Sequence, residues 1–298
     1  MKKILLLGLM LTAVLTLQAQ LTVAPKLSKG IQKHYQTTTV IEIPGQGTVN
    51  INTHFTISVV DALPDGFVLN SQTTQVTTTI GADNIAGQLM GASSEIMKGA
   101  TLKVATDKSG KPLRITNMAD VKAKLEANSN TIVDRMLKAA PQLEQVVSRD
   151  AIKKQIMENA TEAKLLNVLL WTANPLALNG KTITTGAQED YVDEQDFKMR
   201  RMYFVNGRTI TTNATVNMSR DELKALVIKN VERLAPAQLD MVKQNIDQVI
   251  DSGMLKFDSK DTSTYELQAD GWVKSIKSES TIDTMGQQTK ITSSTTLK

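Results

Sequence analysis

Apolar and polar residues alternate one by one over much of the first hundred positions. Val49, Ile51, Thr53, Phe55, Ile57 and Val59 are separated by Asn50, Asn52, His54, Thr56 and Ser58. A repeat of two sends these sets to opposite faces of a strand, one buried and one wet. Residues 31–43 and 67–80 flank this stretch and are rich in Thr and Val. The links to them are Pro44-Gly45 and Pro64-Asp65-Gly66, so the pattern predicts an antiparallel meander. Residues 83–98 carry a helical pattern that Gly87 and Gly91 weaken by about 1 kcal/mol each relative to Ala. Leu102, Val104, the turn Asp107-Lys108-Ser109-Gly110, Leu113 and Ile115 then predict a hairpin.

The period becomes helical in the middle of the chain. Asn117 stands where a cap belongs, Asp120 follows, and Val121, Leu125, Ile132 and Met136 recur at helical spacing before Pro141. Leu143, Val146 and Val147 resume the pattern, and Ile152, Ile156, Ala163, Leu166 and Leu170 continue it beyond Arg149. Residues 165–171 are apolar nearly all round, which predicts a helix end in the core or against a partner.

Pro175 and Asn179-Gly180 return the chain to strands. Phe197, Met199, Tyr203 and Val205 alternate before the Asn206-Gly207 turn, and Ile210, Thr212, Ala214, Val216 and Met218 alternate after it. Ser219-Arg220-Asp221-Glu222 is a capping box, in which the Ser oxygen and the Glu carboxylate each satisfy a free backbone amide. Its helix carries Leu223, Leu226, Val227 and Leu234, breaks at Pro236, and resumes with Leu239, Val242, Ile246, Val249 and Ile250 before Gly253. Three strands close the chain: one at Tyr265 and Leu267, one over 272–282 after Asp270-Gly271, and one over 289–297. Residues 133–136 with Leu143-Glu144 echo residues 231–234 with Leu239-Asp240 around the two proline breaks. The expected fold is α+β, a curved, open half-barrel-like antiparallel sheet packed on long amphipathic helices. It forms one domain over 20–298, with two β-helix-β halves at about 31–171 and 172–298.

Composition narrows the chemistry. The 298 residues are 41% hydrophobic, 21% charged and 4% aromatic, enough to build a substantial core. With no Cys and two His, thiol nucleophiles, disulfides, thiolate zinc sites and iron–sulfur clusters are excluded. Residues 1–19, with Lys2 and Lys3 before an apolar run over 4–17, have the layout of a signal peptide cut after Ala19. The expectation is Sec-type export to the periplasm or beyond, without lipid attachment and without transmembrane insertion of the mature chain. Losing Lys2 and Lys3 takes Lys+Arg from 34 to 32 against 30 Asp+Glu, so the formal net charge falls from +4 to +2. That balance, spread evenly, argues against a nucleic-acid partner. Long helices, few aromatics and Lys298 at the end argue against an outer-membrane barrel.

Candidate reactive groups are sparse. Gly180-Lys181-Thr182 lacks the first glycine of a phosphate loop, since Pro175 occupies that position, and reads as a turn. Asp283-Thr284-Met285-Gly286 lacks the glycine and the second Asp loop of an aspartic protease. Neither a Gly-x-Ser-x-Gly elbow nor a Ser-x-x-Lys dyad occurs. His34 and His54 fall on polar strand positions without a local carboxylate ligand. The run Glu189, Asp190, Asp193, Glu194 and Asp196 lacks the order of a calcium loop, and Arg200, Arg201 and Arg208 would neutralise it at the surface. No catalytic residue, metal site or cofactor is assigned, and the ligand-binding residues are left open. Thirteen Met supply adaptable apolar surface, for core packing or for a cavity left between sheet and helices.

The signal-like start, the Thr-rich strands, the covering helices and two hairpin signatures together resemble exported Gram-negative envelope proteins of unassigned activity. The signatures are Asp107-Lys108-Ser109-Gly110-Lys111-Pro112-Leu113 and Leu267-Gln268-Ala269-Asp270-Gly271-Trp272. The general plan also resembles the open half-barrel of periplasmic lipoprotein and lipid carriers. That resemblance implies an apolar groove between sheet and helices and transfers no functional residue. The leading expectation is therefore a non-enzymatic envelope protein that binds an apolar or lipid-like ligand in that groove. The alternatives are a structural or surface-interaction protein that meets another envelope protein, and a hydrolase using scattered carboxylates.

Overall fold

The computed structural model describes residues 19–80, 91–141, 148–193, 196–234, 236–252, 257–284 and 287–298. The signal-like segment up to residue 18, the first part of the 83–98 helix, Leu143, Val146, Val147, Glu194, Gly253 and Met285-Gly286 lie outside these residues. In chain order the strands of the first half are β1 (Gln20–Thr22), β2 (Gln32–Ile43), β3 (Gly47–Leu63), β4 (Gly66–Ile80), β5 (Thr101–Asp107) and β6 (Pro112–Ile115). Helices α1 (Met118–Ala139), α2 (Arg149–Asn159) and α3 (Glu162–Trp171) follow. Then come β7 (Thr182–Thr184), β8 (Gln188–Val192), β9 (Lys198–Asn206) and β10 (Thr209–Val216). Helices α4 (Arg220–Leu234) and α5 (Leu239–Asp251) precede β11 (Phe257–Leu267), β12 (Val273–Thr284) and β13 (Gln287–Leu297).

Eleven of these strands form one antiparallel sheet in the order β6-β5-β4-β3-β2-β13-β12-β11-β10-β9-β8, while β1 and β7 pair separately. The architecture is α+β with an open sheet, because its edges β6 and β8 do not pair with each other. The expected meander β2-β3-β4 is present, and β13 joins it through β2, so the first and last strands of the large sheet pair in its middle. The β-branched and Thr-rich composition suits such long pleated strands.

One end of the sheet is sealed by side chains. Tyr35, Ile57, Leu69, Val104, Ile115 and Trp272 form a buried cluster with Val121 and Leu125 of α1 and Leu169 of α3. A second cluster gathers Val23, Leu178, Tyr203, Ile210, Tyr265, Val273 and Ile276. The segment before β2 straps the two together: Val23 N–H donates to the Lys181 carbonyl at 2.9 Å, and Lys26 N–H to the Asp270 carbonyl at 2.8 Å. Trp272 Nε1–H donates to the Lys26 carbonyl at 3.1 Å. Gly271 turns at φ +82 directly beneath the strap, where an added Cβ would stand 2.6 Å from the Ala24 carbonyl oxygen. Only glycine accommodates both that backbone sign and that approach.

Several local expectations change. Asn117 precedes α1 without capping it by side chain; its amide instead donates to the Thr101 carbonyl and accepts from Lys103 N–H, stitching the helix start to β5. Leu113 is exposed, because the β5–β6 register slips by one residue and leaves it as the extra residue of a bulge. The helix from Arg149 is two helices, since Thr161 caps a new one by accepting from Lys164 N–H. Of residues 165–171 only Leu169 is fully buried, and Val168 is exposed. The capping box at α4 forms as expected: Ser219 N–H donates to Glu222 Oε2 at 2.8 Å, and Glu222 N–H to Ser219 Oγ at 3.3 Å.

Candidate functional site

Beyond the sealed end, the inner face of the sheet carries rows of small polar side chains, set by register. One row runs Thr39, Ser293, Ser278, Ser263, Thr212, Tyr203 across β2, β13, β12, β11, β10 and β9. The next runs Ile41, Ile291, Ser280, Asp261, Ala214, Arg201, Glu189 and reaches β8. Cross-strand neighbours on one face bond to each other: Thr39 and Ser293 share a hydroxyl hydrogen bond at 2.8 Å, and Thr37 and Thr295 one at 2.7 Å.

Ser and Thr do not reach far enough to fill the space under the helices, and a cavity of about 390 Å³ remains. Its polar wall includes Ser263, Ser278, Ser280, Ser293, Thr212 and Asp261; its apolar wall includes Met199, Val216, Phe197 and Ile282. The C-terminal end of α3 closes it with Trp171, whose ring stacks on Tyr191 with centroids 4.8 Å apart and planes 9° apart. The groove expected to be apolar is therefore amphipathic.

Arg201 stands in this wall and is only 5% exposed. Its Nη2 donates to the Trp171 carbonyl. Its guanidinium carbon lies 4.6 Å from the Tyr191 ring centroid and 5.6 Å from that of Trp171, a favourable cation–aromatic arrangement. Nε and Nη1 have no hydrogen-bond partner. The neighbouring carboxylate in the row, Glu189, is held by Lys181 Nζ at 2.7 Å and by the Tyr203 hydroxyl. Lys181 itself lies 4.4 Å from the Trp171 ring centroid. Burial pulls its ammonium below the ordinary value, against the opposing attraction of Glu189. Burial pushes Tyr191 up, pushes Tyr265 up to about 12, and, with the Glu189 hydrogen bond, raises Tyr203 as well. None of the three phenols is ready to ionise and balance Arg201.

The acidic run divides by strand alternation. Glu189 and Tyr191 face inward, while Asp190 faces outward and takes Arg200 in a bidentate pair at 2.7 and 2.9 Å. Asp193 accepts from Phe197 N–H at 2.8 Å, and Asp196 pairs with Lys229 at 2.9 Å. The expected surface role of Arg201 is thus corrected: it is buried, whereas Arg200 does the pairing. His34 Nδ1 lies 3.1 Å from Thr56 Oγ1, and His54 faces Gln36 across β2–β3, so the sheet does not set the two imidazoles opposite each other. Among the described residues no three acidic or His side chains converge as a metal site, and no helix is long and apolar enough to cross a membrane. Lys181 follows a turn and precedes β7, with no helix after it to bind phosphate.

Hydrophobic patterning along the chain does not mark the cavity's main residues. Its alternation skips from Met199 to Tyr203, although Arg201 occupies the same inward period. It also begins the eleventh strand at Tyr265, eight residues late, because Ser259, Asp261 and Ser263 carry no apolar signal.

No protein-family model matches the chain, and no curated protein matches it. Among solved structures it is similar over 92% of its length to lipovitellin, from a structure of lipid–protein interactions, at 10% identity and a TM-score of 0.38. It spans about a quarter of that chain, 25%. A porin-like protein from Bacteroides uniformis matches over 89% of this chain and 96% of its own, at 10% identity and a TM-score of 0.20. DynF, from the dynemicin biosynthesis pathway of Micromonospora chersina, matches over 94% of this chain and 86% of its own, at 8% identity and 0.19. At these scores none carries an argument about function.

Proposed function

We propose that this is an exported, non-enzymatic envelope protein that holds a small, lipid-like amphipathic ligand between α3 and the inner face of β8–β13. The observation that carries the reading is the cavity of about 390 Å³ with hydroxyls on one wall and apolar side chains on another. A purely structural domain gains by filling such a space, since interiors pack densely and voids cost stability. Hydroxyl-lined walls keep it wet, and a ligand with one polar and one apolar end replaces that water without stranding polar groups. The volume lies near the lower end of the roughly 300–1,000 Å³ of small-molecule sites, which suits a single-chain ligand better than a two-chain lipid.

Trp171 in the wall provides the test. Adding dodecanoate to the full chain is expected to change tryptophan emission saturably, and Trp171→Phe is expected to abolish the change. A flat titration of the wild-type chain contradicts the reading and favours the structural alternative.

A further inference from the structure

We propose that Arg201 anchors a carboxylate, and that the ligand of this cavity is a single-chain amphiphile with a carboxylate head and an aliphatic body. The assignment rests on the binding reading above and adds the ligand's charge and class.

A guanidinium has five N–H donors, and a buried cation with donors left empty is among the costliest arrangements in a protein. Arg201 is 5% exposed, spends Nη2 on a main-chain carbonyl, and keeps Nε and Nη1 without partners. Charge-assisted hydrogen bonds to an oxyanion are the interaction such a group lacks. The Tyr191 and Tyr203 phenols beside it are neutral, and no carboxylate of the described residues supplies it. Glu189 is committed to Lys181 and Tyr203, and Arg201 is in no ion pair among the described residues. Asp261 occupies the same row but on the second strand over, roughly 10 Å away at ordinary strand spacing.

Between Asp261 and Arg201 the row holds only the methyl group of Ala214, and Arg201, Ala214 and Asp261 all line the cavity. Asp193 and Asp261, both in the cavity wall, also select, because they repel a doubly charged phosphate monoester more than a singly charged carboxylate. Met199, Val216 and Ile282, in the adjacent row and its neighbours, supply the apolar contact for an aliphatic body.

Calorimetric titration of the full chain with dodecanoate, dodecanol and dodecyl phosphate separates the possibilities. Dodecanoate is expected to bind about 10- to 100-fold more tightly than dodecanol, the range of a charge-assisted hydrogen bond. Arg201→Gln is expected to erase that preference by weakening dodecanoate far more than dodecanol, and Arg201→Lys to retain part of it. Thermal melts report whether the variants fold, and the wild-type series decides the matter if they do not. Equal affinity for dodecanoate and dodecanol overturns the anchor while leaving the cavity reading intact. Tighter binding of dodecyl phosphate overturns the carboxylate assignment. Failure of every amphiphile to bind overturns the cavity reading itself.

Discussion

The inner face of this sheet is built in two manners. Toward β3–β6 the rows are branched aliphatics and aromatics: Ile57, Leu69, Val104 and Ile115 interlock with Val121, Leu125 and Leu169 from the helices. Toward β9–β13 the rows that follow the sealed end are mostly Ser, Thr and Ala, with Tyr203, Ile291, Asp261 and Arg201 among them. The hydrogen-bonded ladder continues through both regions, so backbone pairing alone does not explain the difference. Side-chain volume decides whether the helices rest on a filled floor or over a cavity, and the cavity is the space the proposed ligand would occupy.

That contrast can be broken at its strongest point by Leu69→Ala, which removes a fully buried side chain from the filled region. Urea unfolding is expected to show a loss of about 2–5 kcal/mol, whereas Ser278→Ala in the cavity wall stays within about 0.5 kcal/mol of wild type. Gly271→Ala attacks the strap that joins the regions. With φ +82 and the Ala24 carbonyl in the way, it is expected to cost more than about 1 kcal/mol in the same assay. Ser278→Leu sharpens the comparison by giving the cavity the side chain its neighbour region uses. Stability is expected to change by less than about 1.5 kcal/mol, because the cavity has room for the added carbons, while the dodecanoate response disappears.

The smallest expected effect concerns pH. The hydrogen bond from Lys198 and those from Ser219 hold Glu222 down at about 2, below its ordinary 4.5. A depressed carboxylate contributes stability that is complete above the unfolded value and is lost as pH falls through the folded one. The stability difference between wild type and Glu222→Gln is therefore expected to be constant above about pH 5 and to shrink toward pH 2. A difference that stays constant throughout would remove Glu222 from the acid response.

Strands with a strongly apolar face were legible in the sequence, as were the proline breaks and the capping box, because each leaves a local signature. β3 shows this toward its ends, where Val49, Ile57 and Val59 of the period-two pattern are buried. The cavity was not legible for the same reason. Ser259, Asp261 and Ser263 face inward in a strand whose partners fix its register, yet nothing in their own identity marks a buried face. Arg201 interrupts an apolar alternation, and whether such a residue is an exposed counter-charge or a buried donor depends on Trp171, thirty residues earlier and on another element. Asn117 likewise looked like a helix cap until its partners on β5 were known. Long-range pairing sets these roles, and local patterning does not report it.

The hydroxyl-lined cavity is the proposed ligand site. Native mass spectrometry of the protein isolated from the cells that make it tests this most directly. The expected result is a complex heavier than the bare chain that releases a small amphiphile on denaturation, with the added mass absent from Ser278→Leu isolated in the same way. A bare-chain mass for the wild type, or the same adduct on both proteins, would contradict it.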